Sequence, residues 1–181
     1  FGENYVQEGL DKIDAVRALL PADVLEWHFI GPLQSNKTRA VAAHFDWVHS
    51  VERVRIAQRL SDQRPAHLPP LNVCLQVNIS GEASKSGVAP GEVETLARAI
   101  AALPKLRLRG LMAIPEPAED VPAQRAPLHA MKLLFERLRG QGLPLDTLSM
   151  GMSQDLEAAV AEGATIVRIG TAIFGKRHYA E

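Results

Sequence analysis

The sequence contains one cysteine, almost no net charge and no long apolar run, and each of these absences excludes a class of protein. Cys74 alone can form neither an internal disulfide nor a cysteine-based metal site. The 20 Lys and Arg side chains nearly balance the 21 Asp and Glu side chains, and a net charge of -1 provides no field to gather nucleic acid or an anionic membrane. No apolar run approaches the roughly 18 residues that cross a bilayer, and no signal segment opens the chain. We therefore expect a cytoplasmic globular protein.

Short apolar runs rich in β-branched residues alternate with longer amphipathic segments along the 181 residues. This alternation is typical of repeated strand-helix units around a parallel sheet. Cys74 lies between Val73 and Leu75 in one such run, which predicts a buried, structural thiol. Seven helices are predicted, including a short final one. The seven predicted strands are residues 1–5, 26–30, 47–51, 71–79, 106–114, 145–150 and 165–169.

Seven units are one fewer than a (β/α)8 barrel contains, and such barrels usually take roughly 200 to 250 residues. We therefore predict an α/β fold: a single (β/α)8 TIM barrel domain over residues 1–181, with its first strand and helix missing from the chain. The alternative is a doubly wound open sheet. Residues 80–83 hold a single glycine and residues 149–153 do not fit GxGxxG, so no dinucleotide fingerprint supports that alternative.

The loops after the last two predicted strands suit a phosphate, and barrels often bind anions after their seventh and eighth strands. Ser153 stands at the start of a predicted helix, and Gly151 lets the backbone approach a ligand closely. Gly170 and Thr171 offer backbone N–H groups and a hydroxyl. On spacing alone, roles as a helix cap for Ser153 and as a turn residue for Gly170 are equally good interpretations.

Other polar or soft side chains lie near predicted strand ends. Strand alternation turns Arg168 inward, where it needs either a ligand or a carboxylate such as Glu3. Asn4 and Met112 could contact a planar ligand, although core packing is the commoner role for such a methionine. His28 is more typical of a hydrogen-bonded core histidine than of a catalytic base. No set of His, Asp and Glu residues has the spacing of metal ligands.

Six motifs, in order along the chain, closely resemble the pyridoxal-phosphate homeostasis proteins. They run nearly from the first residue to the last. The motifs are Phe-Gly-Glu-Asn-Tyr-Val-Gln-Glu (1–8), His-Phe-Ile-Gly-Pro-Leu-Gln-Ser-Asn-Lys (28–37), Ser-Lys-Ser-Gly (84–87), Arg-Gly-Leu-Met-Ala-Ile (109–114), Leu-Ser-Met-Gly-Met-Ser (148–153) and Val-Arg-Ile-Gly-Thr-Ala-Ile-Phe-Gly (167–175).

The resemblance implies a barrel similar to the N-terminal domain of alanine racemase, holding pyridoxal 5'-phosphate at its mouth. The implied role is cofactor supply, with PLP-dependent apo-enzymes as partners and without robust catalysis. An arginine at the pyridine nitrogen has no proton to spare, so that nitrogen stays unprotonated and the ring is a weaker electron sink. By motif, the cofactor-binding residues are Ser153, Gly170 and Thr171 at the phosphate, Arg168 at the pyridine nitrogen, and Asn4 and Met112 in the surroundings.

The sequence departs from the family in one respect, because the family's Schiff-base lysine lies upstream of the motif at 1–8. No lysine here replaces it by motif, although Lys85 follows the fourth strand and could capture an aldehyde. We expect that a segment preceding Phe1 is missing. The alternative function is a PLP-dependent racemase of the same barrel class. Such enzymes need a second, β-rich domain, and the short tail 176–181 leaves no room for it. We therefore expect that this protein is not an enzyme.

Overall fold

The computed structural model describes residues 1–21, 24–82, 85–118 and 120–175. Its strands are β1 (Gly2–Glu3), β2 (His28–Phe29), β3 (Trp47–Val51), β4 (Leu71–Gln76), β5 (Leu106–Met112) and β6 (Thr147–Ser149). Its α-helices are α1 (Val6–Arg17), α2 (Thr38–His44), α3 (Val54–Gln63), α4 (Val93–Ala101), α5 (Val121–Gly140), α6 (Leu156–Ala161) and α7 (Thr171–Phe174). A 3-10 turn at Ser35–Lys37 precedes α2. None of the helices within the described ranges is both long and apolar enough to span a membrane.

The six strands are all parallel and pair in chain order, β1 to β6. A doubly wound sheet would reverse its strand order part-way, and this sheet does not. The sheet also curves strongly. His49 of β3 and Ser149 of β6 are joined by a 2.8 Å hydrogen bond, whereas in a flat sheet strands three positions apart are separated by about 14 Å. The fold is therefore the barrel wall that the sequence predicts.

The seventh predicted strand, residues 165–169, is present as a single parallel bridge at Ile166 against the end of β6. Two further backbone hydrogen bonds keep the segment beside β6. Met150 N–H donates to the Ile166 oxygen at 3.1 Å, and Arg168 N–H donates to the Gly151 oxygen at 2.9 Å. The loops that follow β6 and this bridge therefore leave the barrel side by side.

The helices pack their apolar stripes on the outer face of the sheet, as the 3.6-residue spacing predicts. In α3, for example, Ile56, Ala57 and Leu60 are buried. The inner face carries a smaller apolar cluster and a set of polar side chains. The cluster consists of Trp47, Cys74 and Met112, with Ile166 packed against it.

Candidate functional site

Arg168 points into the barrel at the carboxyl ends of the strands, as strand alternation predicts. Its Nη1 donates to the Ser149 carbonyl oxygen at 3.0 Å and to Ser149 Oγ at 2.7 Å. Its Nη2 donates to the Ala113 carbonyl oxygen at 2.8 Å. The pairing with Glu3 that the sequence allowed does not form, because that carboxylate pairs with Lys12 at 2.9 Å. Arg168 is thus held by the ends of β5 and β6.

The Arg168 guanidinium is a partly buried cation, and no carboxylate of the described residues contacts it. Three of its five N–H donors are used by Ser149 and Ala113, so Nε–H and one N–H of Nη2 have no acceptor among the described residues. Burial lowers the pKa of Arg168, and the guanidinium nevertheless stays charged. A cation with two unused donors at the barrel mouth suits a ligand that presents an acceptor atom.

A line of hydrogen bonds inside the barrel connects Arg168 to β3 and β2. Ser149 Oγ lies 2.8 Å from His49 Nδ1, and His49 Nε2 lies 2.8 Å from His28 Nδ1. Ser149 and His49 are almost completely buried. Burial, with smaller contributions from His28 and Arg168, lowers the pKa of His49 to about 3, so its imidazole is neutral at pH 7.

His28 is hydrogen-bonded, as the sequence predicts, and its side chain is partly buried. Its ring stacks on Trp47 with centroids 5.2 Å apart and bonds to His49. Sequence reasoning missed His49 and Ser149 as parts of the site. The available indication was alternation along β3, which places His49 on the same face as Trp47.

The loop after β6 contains Gly151 and Ser153. Gly151 is buried at φ +97°, and a Cβ there would lie 2.4 Å from the Cβ of Ala159 in α6. Its lack of a side chain therefore lets α6 pack against the loop. Ser153 is exposed and does not cap α6. Instead Asp155 precedes the helix, and its Oδ1 accepts the Met152 N–H at 2.7 Å.

The loop after the Ile166 bridge contains Gly170 and Thr171, both exposed. The Gly170 oxygen accepts the N–H groups of Ile173 and Phe174, each at 2.9 Å. The N–H groups of Thr171 and Ala172 have no acceptor within the described part of the chain, and neither have those of Ser153 and Gln154. Two adjacent loops thus present unpaired backbone donors and two hydroxyls at the same edge of the barrel.

Known proteins resemble this chain along nearly its whole length. The family model described as "Alanine racemase, N-terminal domain" matches residues 1–178. A Pseudomonas aeruginosa protein named pyridoxal phosphate homeostasis protein is 66% identical over 179 residues, which cover 99% of this chain and 75% of that protein. The Escherichia coli K12 protein of the same name is 59% identical over 181 residues, covering 100% of this chain and 77% of that protein. The chain belongs to the pyridoxal phosphate homeostasis protein family.

Solved structures show the same relationship. PipY of Synechococcus elongatus, solved without and with PLP, matches with TM-scores of 0.88 and 0.86 at 38% and 37% identity. Each match covers 97% of this chain and 81% of the PipY chain. Alanine racemase of Corynebacterium glutamicum matches with a TM-score of 0.73 at 18% identity, covering 99% of this chain and 48% of that enzyme, and therefore shows a shared fold only. The predicted alanine racemase N-terminal fold is confirmed.

The remaining residues that the family resemblance suggested lie in different environments. Asn4 is exposed directly after β1, and its backbone oxygen lies where a Cβ at Gly31 would clash at 2.0 Å. Met112 is fully buried between Trp47 and Cys74 inside the barrel, which is the packing role that the sequence allowed. Asn4 therefore lies exposed at the end of β1, and Met112 packs inside the barrel.

Lys85 lies in an ion-pair cluster after β4. Its Nζ is 3.3 Å from Glu82 Oε1 and 3.7 Å from Glu116 Oε1. The pKa of Glu116 is raised, mainly because its carboxyl group shares a hydrogen bond with Glu82. The two carboxylates account for the position of Lys85 without a ligand.

The prediction of a buried Cys74 is confirmed, and burial raises the pKa of its thiol to about 12. The thiolate is the reactive form, so a buried thiol that stays protonated reacts slowly. We expect that the native protein does not react with a disulfide reagent such as DTNB over several minutes. In the same time the urea-unfolded chain should release one equivalent of the reagent's coloured thiolate. Rapid release of an equivalent from the folded chain would contradict the buried position.

Proposed function

We propose that this protein binds pyridoxal 5'-phosphate in the cytoplasm, acts in the homeostasis and supply of that cofactor, and has no robust catalytic turnover of its own. The observation that carries the proposal is Arg168, a partly buried cation with two unused donors beside loops with unpaired backbone N–H groups. The names of the relatives and the PLP-bound PipY structure support it. PLP-dependent apo-enzymes are the proposed recipients.

The phosphate end of the ligand would lie against the loops after β6 and after the Ile166 bridge. Backbone N–H groups without partners can donate charge-assisted hydrogen bonds to the oxygens of a dianion. Ser153 and Thr171 add hydroxyls that can donate to the same oxygens. Gly170 leaves the space beside it open, since no atom lies within 4 Å of a Cβ built there.

The pyridine nitrogen would accept a hydrogen bond from Arg168. Because the guanidinium does not give up its proton, that nitrogen remains unprotonated. When bound, pyridoxal phosphate supplies an electron sink for carbanion chemistry, and an unprotonated ring is a weaker sink. Arg168 therefore favours binding of the cofactor without catalysis.

The polar groups around Arg168 also support a holding role. A racemase needs an acid and a base at the reacting carbon. His49, the nearest imidazole, is buried, neutral and bonded to Ser149 and His28. Cys74 carries a thiol that stays protonated. Neither group is available for proton transfer at the barrel mouth.

The experiment that tests this function compares pyridoxal 5'-phosphate with phosphate-free pyridoxal by equilibrium dialysis. We expect the wild type to prefer the phosphorylated ligand, and the double variant Ser153→Ala, Thr171→Val to raise its Kd by roughly 10-fold or more. Binding of pyridoxal is expected to stay unchanged. Ser80→Ala, at an exposed serine after β4, is the matched control. Equal wild-type affinities for the two ligands would contradict the proposal.

A further inference from the structure

A buried line of hydrogen bonds runs from Arg168 to Ser149 of β6 and from Ser149 to His49 of β3. We propose that Ser149 and His49 are positioning residues for Arg168, holding its guanidinium so that the unused N–H donors face the ring nitrogen of the ligand. This inference rests on the proposed function, because it concerns the same bound cofactor.

The donors and acceptors along this line can be assigned in only one fully satisfied way. Ser149 Oγ accepts from Arg168 Nη1 at 2.7 Å, and the single described acceptor for its own proton is His49 Nδ1 at 2.8 Å. His49 Nε2–H then donates to His28 Nδ1 at 2.8 Å. The opposite direction would leave the buried hydroxyl hydrogen of Ser149 without an acceptor among the described residues. The line therefore runs from Arg168 through Ser149 to His49 and His28.

This direction requires an uncharged His49, because its Nδ1 must accept rather than donate. The side chain is almost fully buried on β3 next to a cationic guanidinium, so a proton on it would be strongly disfavoured. A hydroxyl that donates its proton to an imidazole is a better acceptor for the arginine, since successive hydrogen bonds polarise one another. His49 therefore strengthens the bond that fixes Arg168.

The hydroxyl fixes Arg168 from one side only. Nη1 is bound twice by Ser149, while Nη2 is bound once by Ala113 through its backbone oxygen. A side-chain substitution cannot remove the two backbone acceptors, but it can remove the hydroxyl. Loss of the Ser149 hydroxyl or of its acceptor on His49 is thus expected to leave Arg168 in place and to loosen its orientation.

The test compares Kd values for pyridoxal 5'-phosphate and for its 1-deaza analogue, in which a C–H group replaces the ring nitrogen. The wild type is expected to prefer the natural ligand by roughly 10-fold, the size of one charge-assisted hydrogen bond. In Ser149→Ala and in His49→Leu this preference should fall towards one, with the Kd of the analogue unchanged within about twofold. His49→Asn, which restores an acceptor near the Nδ1 position, should recover part of the preference.

The matched control is Ser50→Ala, at the residue after His49 on the same strand. Ser50 is buried, and its hydroxyl has no hydrogen-bond partner among the described residues. This variant should keep the wild-type preference for pyridoxal 5'-phosphate. A second readout uses the bound cofactor labelled with ¹⁵N in the ring, whose nitrogen chemical shift should move in His49→Leu and not in Ser50→Ala.

The outcomes separate the inference from the function on which it rests. A wild type that binds pyridoxal 5'-phosphate no better than pyridoxal overturns the proposed function. Suppose that the wild type binds the phosphorylated ligand. If Ser149→Ala and His49→Leu then weaken binding of pyridoxal 5'-phosphate and of its 1-deaza analogue equally, these residues serve the fold alone. An unchanged preference in both variants, or an unchanged nitrogen shift, would likewise overturn the positioning role. Should Ser149→Ala fail to fold, the His49 variants and the shift carry the test.

Discussion

Replacing Arg168 with methionine is expected to raise the Kd for pyridoxal 5'-phosphate by roughly 10- to 100-fold, because one or more charge-assisted hydrogen bonds are lost. Methionine fills a similar length of the barrel interior but donates no hydrogen bond. Arg168→Lys keeps the charge without the planar fork, so its Kd should lie between those of the wild type and Arg168→Met. Equilibrium dialysis with the cofactor's absorbance measures all three values.

Stability must be followed in parallel, because Arg168 also satisfies backbone carbonyl groups. Losing it leaves the Ala113 oxygen without this donor, which costs about 1–3 kcal/mol for a buried group. The matched control is Arg59→Met in α3, since the Arg59 Nε donates to the Ser35 oxygen at 3.0 Å on the outer face of the barrel. That variant should bind the cofactor as the wild type does. An Arg168→Met protein that is folded and binds with wild-type affinity would contradict the assigned site.

Gly110→Ala is expected to lower the free energy of unfolding by about 4 kcal/mol or more, and this is the largest stability effect we predict. Gly110 lies in the middle of β5, opposite Thr147 of β6. A Cβ at this position would lie 1.6 Å from the Thr147 carbonyl oxygen and 2.6 Å from its carbon. Both atoms belong to the backbone, so no side-chain rotation relieves the overlap and the two strands must separate.

The pairing of β5 with β4 is irregular beside this close approach. Val73 and Cys74 are consecutive in β4, but their partners are Leu108 and Gly110, so Arg109 is an extra residue in β5. A bulge bends the strand, and glycine in a strand interior often marks a bulge or a site where another backbone approaches closely. Gly140→Ala, at the end of α5 with no atom within 4 Å of the new Cβ, is the matched control and should gain about 0.5–1 kcal/mol. Urea unfolding measures both variants, and a loss below about 1 kcal/mol in Gly110→Ala would contradict the clash.

The repeating architecture could be predicted from the sequence because apolar periodicity is a local property. Strands of a parallel barrel can bury both faces and then read as short apolar runs, as β3 does, which is buried at every position. The boundaries were less predictable. The segments at 1–5 and 26–30 shorten to two paired residues each, since strand ends depend on what the neighbouring chain offers for pairing.

The candidate site was also predictable only in part from the sequence. The composition of two loops indicates an anion site, and each loop is one continuous piece of sequence. The first contains Gly151 and Ser153, and the second contains Gly170 and Thr171. Their positions follow directly from chain order. The Arg168 side chain could be assigned to the interior from alternation. Its partners could not, because the sequence allowed a carboxylate such as Glu3 and the structure supplies Ser149 and a carbonyl oxygen instead.

The sequence by itself determined the barrel class, the family and the two loops beside the Ile166 bridge, because these follow from periodicity and contiguous motifs. Only the tertiary structure decided that His49 and Ser149, which are 100 residues apart, meet in one hydrogen-bonded line with Arg168. Curvature of the sheet brings β3 and β6 together across the interior, and curvature is a property of the packed strands as a set. No local pattern in the chain records which inward-facing side chains will meet.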